Sequence, residues 1–208
     1  MRIPTAPAYR IETERLVLRC WEPRDAALLS TAIEESTEHL RAWMPWMREE
    51  PRDVDDRIEF LRVLRAKFDR DEEYVYGIFD EDERRVLGGT GLHDRLGEDA
   101  LEIGYWVHAA RLGEGLATEA AGAMTRVAFE ALSVERVEVH CDPKNVRSAA
   151  VPKKLGFTLD ATLRKRALRP DGTRRGTMIW SLLLEEYSGS IPSTQKLTAF
   201  DAAGRKLL

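Results

Sequence analysis

The sequence predicts an α+β domain in which helices flank a central mixed sheet. Two observations support this prediction. Three segments with strand composition follow one another and are separated only by polar turns, as in an antiparallel meander. A long alanine-rich helix then leads into a further strand, and a strand, helix and strand in succession place the two strands parallel in one sheet.

The first 70 residues alternate between strand, helix and turn signals. The segment RLVLRCW reads as a short strand, and Pro23 stands where the helix of DAALLSTAI would begin. The cluster HLRAWMPWM contains Pro45, so we expect a turn there rather than a continuous helix. Helical spacing resumes from Val54 to Phe68, with one apolar stripe made of Ile58, Leu61, Leu64 and Phe68.

The meander is predicted to have the strands Tyr74 to Phe79, Val86 to Gly91 and Leu101 to Val107. In the third strand, a period of two places Glu102, Trp106 and His108 on one face. The opposite face carries Leu101, Ile103, Tyr105 and Val107. The polar groups of this strand therefore share the face of Glu102.

The second half of the chain predicts a long helix, a strand, a short helix and a hairpin. The long helix has an apolar face formed by Leu116, Ala120, Met124, Val127 and Ala131. The next strand alternates apolar and polar residues from Val137 to Cys141. Asn145 begins a short helix that ends at Gly156, and the strand after it pairs with Thr177 to Leu184 through the turn PDGT at 170–173.

The length of 208 residues suits one domain with a small appendage. We assign residues 1–187 to that domain. From Ser188 the composition changes to SGSIPST, which is typical of a linker. The segments KLTAF and RKLL flank DAAG after it, and they allow either a small hairpin or a disordered tail. Residues 188–208 are given no chemistry.

Composition argues against several classes of protein. With 43% apolar and 33% charged residues, the chain should be soluble and globular, and a net charge of −4 does not suggest a nucleic-acid-binding surface. The start MRIPTAPAYR lacks an apolar signal region, and no segment approaches the roughly 18 continuous apolar residues of a membrane span, so we expect a cytoplasmic protein. Cys20, Cys141 and the four histidines lack metal-ligand spacing, which predicts metal-free catalysis.

A loop with two glycines is the clearest sign of a ligand site. In YWVHAARLGEGLATEA, a strand runs through Gly113 and Gly115 into a helix. Glycine permits positive φ and close approach of a ligand, and the free N–H groups of a helix N-terminus attract anionic oxygen, so the loop could hold a pyrophosphate. An ordinary strand-to-helix turn is the alternative. The loop lacks GKS/T and the full GxGxxG, which argues against the common nucleotide-binding motifs.

Several motifs in order resemble the GNAT acetyltransferase superfamily, in particular its RimJ/RimL branch of ribosomal-protein N-terminal acetyltransferases. They are TERLVLR at 13–19, HLRAWMPW at 39–46, EIGYWV at 102–107, LGEGLATEA at 112–120 and NVRSAAVPKKLGF at 145–157. The resemblance implies the GNAT fold, with acetyl-CoA as cosubstrate in a gap between two splayed parallel strands. It also makes a homodimer plausible.

The resemblance implies residues for holding CoA. The family's pyrophosphate motif falls on Leu112, Gly113, Glu114, Gly115, Leu116 and Ala117, whose amides would bind the phosphates. The basic or amide residue usual at the first position is Leu112 here, although Arg111 is adjacent. Asn145 matches the residue that contacts the pantetheine arm, a role compatible with capping the short helix.

The resemblance also implies catalytic groups. Ser148 matches the serine that protonates the CoA thiolate, with a capping or packing serine as the alternative. Glu102 matches the strand glutamate that acts as base, often through water, and a surface glutamate is the alternative. Because the base of some RimL-like proteins corresponds to Ala167 here, His108 is a second candidate. The N–H of Val107 matches the oxyanion donor.

One proline changes the expected helix around Ser148. Pro152 has no N–H to donate to the Ser148 carbonyl four residues back, so that carbonyl needs another partner and the helix should kink.

The acceptor is predicted to be an amine held in an apolar pocket. Trp43 and Trp46 would border it by resemblance, Trp106 and His108 share the face of Glu102, and acidic neighbours would favour a cation. A protein N-terminal α-amine is the preferred acceptor. A small amine, such as a polyamine, amino sugar or amino-acid-like toxin, is the alternative, and a CoA-binding module without turnover is a third.

Overall fold

The computed structural model describes residues 6–169 and 171–208, which contain a nine-stranded sheet. Its strands are β1 (Arg10–Glu12), β2 (Val17–Cys20), β3 (Tyr74–Phe79), β4 (Val86–His93), β5 (Ala100–Val107), β6 (Arg136–Cys141), β7 (Thr158–Leu168), β8 (Arg174–Leu183) and β9 (Thr198–Phe200). Their order across the sheet is β7-β8-β6-β5-β4-β3-β2-β1-β9. Only the β5–β6 pair is parallel, so the predicted mixed α+β sheet is confirmed.

Helices connect the strands. The α-helices are α1 (Ala26–Glu34), α2 (Thr37–Arg41), α3 (Val54–Asp69), α4 (Leu116–Glu130), α5 (Val146–Leu155), α6 (Leu184–Tyr187) and α7 (Ile191–Thr194). Short 3₁₀ turns stand at Pro23–Asp25, Pro45–Glu49 and Ala109–Arg111. The expected break at Pro45 is therefore present. In the described residues, no helix combines the length and apolar character needed to cross a membrane.

The β5–β6 pair separates after three residues. Register extends only over Ala100, Leu101 and Glu102 of β5, opposite Arg136, Val137 and Glu138 of β6. Both strands continue beyond this point, β5 to Val107 and β6 to Cys141, without pairing to each other. The sheet therefore has a gap at the carboxyl ends of its two parallel strands. Helix α4 begins after β5 and helix α5 after β6, so both N-termini lie at that edge.

The two faces of the sheet bury different cores. The apolar side of α4 packs with Ile103 and Val137 on one face, and Trp21, Leu29 and Phe79 belong to a second core with α1 and α3. The predicted stripe of α3 is only partly buried. Leu61 and Phe68 are fully buried, but Ile58 is 39% exposed and the neighbouring Arg57 is buried instead.

The edge of the sheet away from β7 is built from β1, for which the sequence predicted no strand, and from β9, which lies in the segment KLTAF of the possible small hairpin. β1 pairs with β2 on one side and with β9 on the other. After β9 the chain turns, with Asp201 N bonded to Arg205 O at 2.9 Å, and Lys206 bridges back to Phe200. The predicted boundary after residue 187 stays a prediction, while KLTAF lies on the sheet and RKLL turns back toward it.

The hairpin of β7 and β8 is present and its second strand begins at Arg174, three residues before the predicted start. Arg169 N donates to Thr173 O at 2.8 Å across the turn, and Pro170 of the predicted PDGT turn lies outside the described residues. β4 continues two residues beyond the predicted Gly91 and ends at His93.

Candidate active site

A cavity of about 540 Å³ opens where β5 and β6 part. Residues predicted for the site that line it are Trp43, Trp46, Glu102, Trp106, Asn145 and Ser148. They come from the turn after α2, from β5 and from the first turn of α5. The cavity is therefore bordered both by the start of α5 and by the face of β5 that carries Glu102.

Glycines make room on the cavity floor. A Cβ at Gly89 of β4 would lie 2.5 Å from Trp106 Nε1, so the indole can cross the strand only because this position lacks a side chain. Gly104 of β5 leaves similar room for the ring of His93, which a Cβ would approach to 3.1 Å. The Trp106 ring lies 6.2 Å from that of Trp46, and together they form an apolar wall.

The negative charges of the acidic residues beside the tryptophans are balanced by neighbouring arginines. Glu49 and Glu50 line the cavity, but the Glu50 carboxylate accepts hydrogen bonds of 2.8 and 2.6 Å from Arg57. Both side chains of this pair are almost completely buried. A bias toward a cationic acceptor must therefore come chiefly from carboxylates elsewhere in the cavity.

Glu102 faces β6 at the point where the strands part. Its carboxylate is 3.6 Å from His140 Nδ1, and His140 Nε2 is 2.6 Å from Glu138. Arg136 closes this row at 2.8 Å from Glu138. This row of side chains runs from the cavity floor to Arg136. His140 is therefore a second ionisable group close to Glu102.

A second histidine lies deeper on the same floor. His93 Nδ1 is 2.8 Å from the Glu73 carboxylate, which also contacts Lys67. Burial lowers the pKa of His93, and the charge of Arg95 acts in the same direction, although Glu73 opposes both. Burial would raise the pKa of Glu73, but hydrogen bonds from His93 and Lys67 outweigh it and lower the pKa.

The N–H of Val107 points away from β4. His108 N donates to Leu87 O at 2.8 Å, and the register pairs Val107 with Gly88, which makes this the pair without ladder hydrogen bonds. The backbone N–H of Val107 therefore faces the side on which β6 has already separated. Val107 itself is not among the cavity-lining residues.

Ser148 is held in the first turn of α5. Its N–H donates to the side chain of Asn145 at 3.1 Å, so Asn145 caps the helix. Pro152 lies inside the same helix. The Ser148 carbonyl that Pro152 cannot satisfy accepts the hydroxyl hydrogen of Tyr105 at 3.0 Å, so the predicted second partner exists.

The glycine loop has the backbone that an anion site needs. Gly113 and Gly115 have φ of 85° and 84°. The first backbone hydrogen bond of α4 runs from Glu119 N to Gly115 O, so the N–H groups just before Glu119 have no partner within the helix. The amides predicted to bind phosphate, from Leu112 to Ala117, include this helix start. The neighbouring Arg111 pairs with Glu114 at 2.8 Å.

The turn between β1 and β2 holds this loop in place. Glu119 accepts hydrogen bonds from Thr13 Oγ1 at 2.7 Å and from Arg15 Nε at 2.8 Å. Arg15 Nη1 also donates to Glu114 O at 3.1 Å. The motifs TERLVLR and LGEGLATEA are thus in direct contact, because the first fixes the start of the helix in the second.

The structure does not bring His108 to the cavity. β5 ends at Val107, so the alternation of faces stops there, and His108 pairs with Glu35 at 2.9 Å. Its other ring nitrogen accepts from Ala110 N. Sequence patterns also missed His93, His140 and the hydroxyl of Tyr105. The motif EIGYWV identified the strand. Its side-chain contacts depend on where β4, β6 and α5 lie, and the motif does not contain that information.

Comparison with protein families matches the acetyltransferase (GNAT) domain over residues 15–158. The chain is 28% identical over 179 residues to the putative ribosomal N-acetyltransferase YdaF of Bacillus subtilis, covering 85% of this chain and 95% of the relative. It is 27% identical over 188 residues to the [ribosomal protein uS5]-alanine N-acetyltransferase of Escherichia coli, covering 88% and 94%.

Solved structures agree with this match. Mycobacterium smegmatis RimJ in complex with CoA-disulfide superposes with a TM-score of 0.74 at 27% identity, covering 90% of this chain and 91% of that one. The family match covers more than half of the chain, and it coincides with the gap between parallel strands and the glycine loop. The chain therefore belongs to the acetyltransferase (GNAT) family and is an N-acetyltransferase.

Proposed function

We propose that the protein transfers the acetyl group of acetyl-CoA directly to the α-amine of a protein N-terminus. The observation that carries the proposal is the cavity that places Ser148 and Glu102 on opposite sides of the β5–β6 gap. A thioester in the gap would lie between a proton donor for its sulfur and a proton acceptor for the attacking amine.

The residues around the gap suit acetyl-CoA. The amides from Leu112 to Ala117 would hold the pyrophosphate, because the loop presents unpartnered N–H groups at a helix N-terminus. Asn145 would contact the pantetheine arm, and the N–H of Val107 would stabilise the oxyanion. Bound acetyl-CoA supplies the activated acetyl group.

Glu102 takes the proton that the amine must lose. An α-amine has a pKa near 8, so only a modest base is needed. The amine nitrogen forms a bond to the acetyl carbon, the carbon–sulfur bond breaks, and Ser148 gives its hydroxyl proton to the departing thiolate. The new amide nitrogen gives up its surplus proton in the same step, and that proton restores the Ser148 hydroxyl. His140, next to Glu102, offers a further site for the proton taken from the amine.

The preference for a protein N-terminus draws support from the relatives. Of two curated relatives that share most of their length with this chain, one is named a putative ribosomal N-acetyltransferase and the other a [ribosomal protein uS5]-alanine N-acetyltransferase. The tryptophan wall formed by Trp46 and Trp106 offers apolar contact to residues that follow the amine. A small cationic amine facing Glu73 and Glu102 is the competing substrate class.

An acceptor competition tests the proposal. Free thiol release would be followed with peptides that begin with unblocked alanine or serine, and with a polyamine, an amino sugar and a free amino acid. A peptide of the same sequence with an acetylated N-terminus and an internal lysine is the matched control. We expect release with the unblocked peptides and none with the control. Turnover of a small amine at a much higher kcat/KM would overturn the peptide assignment.

A further inference from the structure

The hydroxyl of Tyr105 meets two atoms of Ser148. It donates to the Ser148 carbonyl oxygen at 3.0 Å and lies 3.3 Å from Ser148 Oγ. Tyr105 is on β5 and Ser148 is on α5, so this contact bridges the gap between β5 and β6. The reaction described above uses Ser148 and gives Tyr105 no part.

The Ser148 carbonyl is open to Tyr105 because of Pro152. In a regular helix the N–H of residue 152 would bond this oxygen, and proline has none to give. A carbonyl left without a partner away from water is costly. The hydroxyl of Tyr105, which belongs to β5, thus takes the place of the backbone donor that is missing in helix α5.

This arrangement also constrains the serine hydroxyl. Tyrosine has a single hydroxyl proton, and here it is donated to the carbonyl. The Tyr105 oxygen therefore meets Ser148 Oγ as an acceptor. Burial raises the pKa of Tyr105 while the hydrogen bond to Ser148 lowers it; the net rise keeps the phenol protonated at neutral pH.

We propose that Tyr105 is a positioning residue for Ser148, supplying the donor that Pro152 lacks and holding Ser148 Oγ at the gap by accepting its hydroxyl hydrogen until the thiolate takes it. The proposal rests on the proposed role of Ser148 in protonating the thiolate. It does not make Tyr105 a proton donor to CoA.

A kinetic double-mutant cycle tests the action through Ser148. Tyr105→Phe keeps the ring and should lower kcat by roughly tenfold, below the roughly 10²- to 10⁴-fold typical of losing a proton donor, with little change in KM for acetyl-CoA. In a Ser148→Ala background the same change should cost no more than about twofold. Tyr187→Phe removes a tyrosine–carboxylate bond far from the cavity and is the control, with kcat unchanged. Equal losses in both backgrounds would overturn the proposal.

An unfolding cycle tests the link to Pro152 without any acceptor. Tyr105→Phe should raise the unfolding equilibrium constant by about tenfold in the parent chain, and distinctly less in Pro152→Ala, where the restored N–H can bond the Ser148 carbonyl. If Tyr105→Phe changed the unfolding equilibrium constant equally in the parent chain and in Pro152→Ala, Tyr105 would not be replacing the helical donor that Pro152 lacks. If the parent chain releases no thiol with any amine, the proposed function fails, and this second cycle still decides the structural claim.

Discussion

Glu102 holds the last paired position of β5, opposite Glu138, and its carboxylate reaches His140 two residues further along β6. The pairing brings a carboxylate of one strand to 3.6 Å from an imidazole of the other, and it places both on the cavity. The proposed base and its neighbour thus come from residues 38 positions apart in the chain. This position suits a group that must receive a proton from an amine in the cavity and lose it again before the next turnover.

Changing Glu102→Gln should alter the shape of the pH profile. At neutral pH the variant lacks its base and should turn over slowly, by roughly 10²-fold or more. As the pH approaches the pKa of the amine, solvent supplies the neutral nucleophile, so the variant's rate should climb where the parent chain's rate has levelled off.

The measurement is kcat from pH 6 to 9.5 with acetyl-CoA binding checked separately. Glu98→Gln, in the exposed turn before β5, is a matched control and should follow the parent profile. Parallel profiles for Glu102→Gln and the parent would rule Glu102 out as the base and favour solvent deprotonation.

The sequence predicted cavity residues when local pattern defined them. Period two in β5 gave Glu102 and Trp106 a common face, whereas Ser148 was identified only by its match to the family motif that begins at Asn145. His140 and Tyr105 could not be found this way, because each acquires its role from a contact with another element. Alternation also misplaced His108, since the rule ends with the strand at Val107.

At the scale of elements, the loop before α4 combines local and distant constraints. Gly113 and Gly115 adopt positive φ as the loop motif predicted, and this could be anticipated because glycine is the residue that such a backbone favours. The contacts from Thr13 and Arg15 to Glu119 could not, since they join segments more than 100 residues apart. β1 was missed because a three-residue strand is too short to show a period, whereas β9 lies in KLTAF, for which the sequence already allowed a small hairpin.

Gly115→Val should abolish the stabilisation of the protein by acetyl-CoA. A ligand at 100 times its dissociation constant stabilises the native state by about 2.7 kcal/mol, which appears as a rise in Tm. Valine resists positive φ, so the loop amides would no longer converge on the phosphates. A Cβ at this position would be 3.7 Å from Arg15, so backbone conformation rather than crowding is the expected cause.

Gly97→Val provides the comparison. Gly97 has a φ of 92° and open space around it, and it lies in the turn before β5 rather than in the loop. Its valine variant should lose a similar amount of stability but keep the full Tm rise with acetyl-CoA. A full rise in folded Gly115→Val would refute the assignment of the loop as the phosphate site.

At the scale of the molecule, the site is a consequence of one interruption in a nine-stranded sheet. β5 and β6 pair for three residues and then part, which exposes backbone N–H groups of β5, opens the cavity and aligns the starts of α4 and α5 at one edge. The parallel pair was predictable from the order of strand, helix and strand. The length of its pairing was not, because both strands keep their strand pattern beyond the point at which they separate.

The proposed reaction is a direct attack of an amine on acetyl-CoA in this gap. The most direct measurement is the intact mass of the protein and of an unblocked peptide or small amine, together with free thiol, after incubation with acetyl-CoA. Without an amine we predict an unmodified protein and no thiol release. With an accepted amine we predict one acetyl group on the acceptor for each thiol released. Direct transfer in this gap would be refuted if the protein became acetylated and then passed the group on, or if no peptide or small amine caused thiol release.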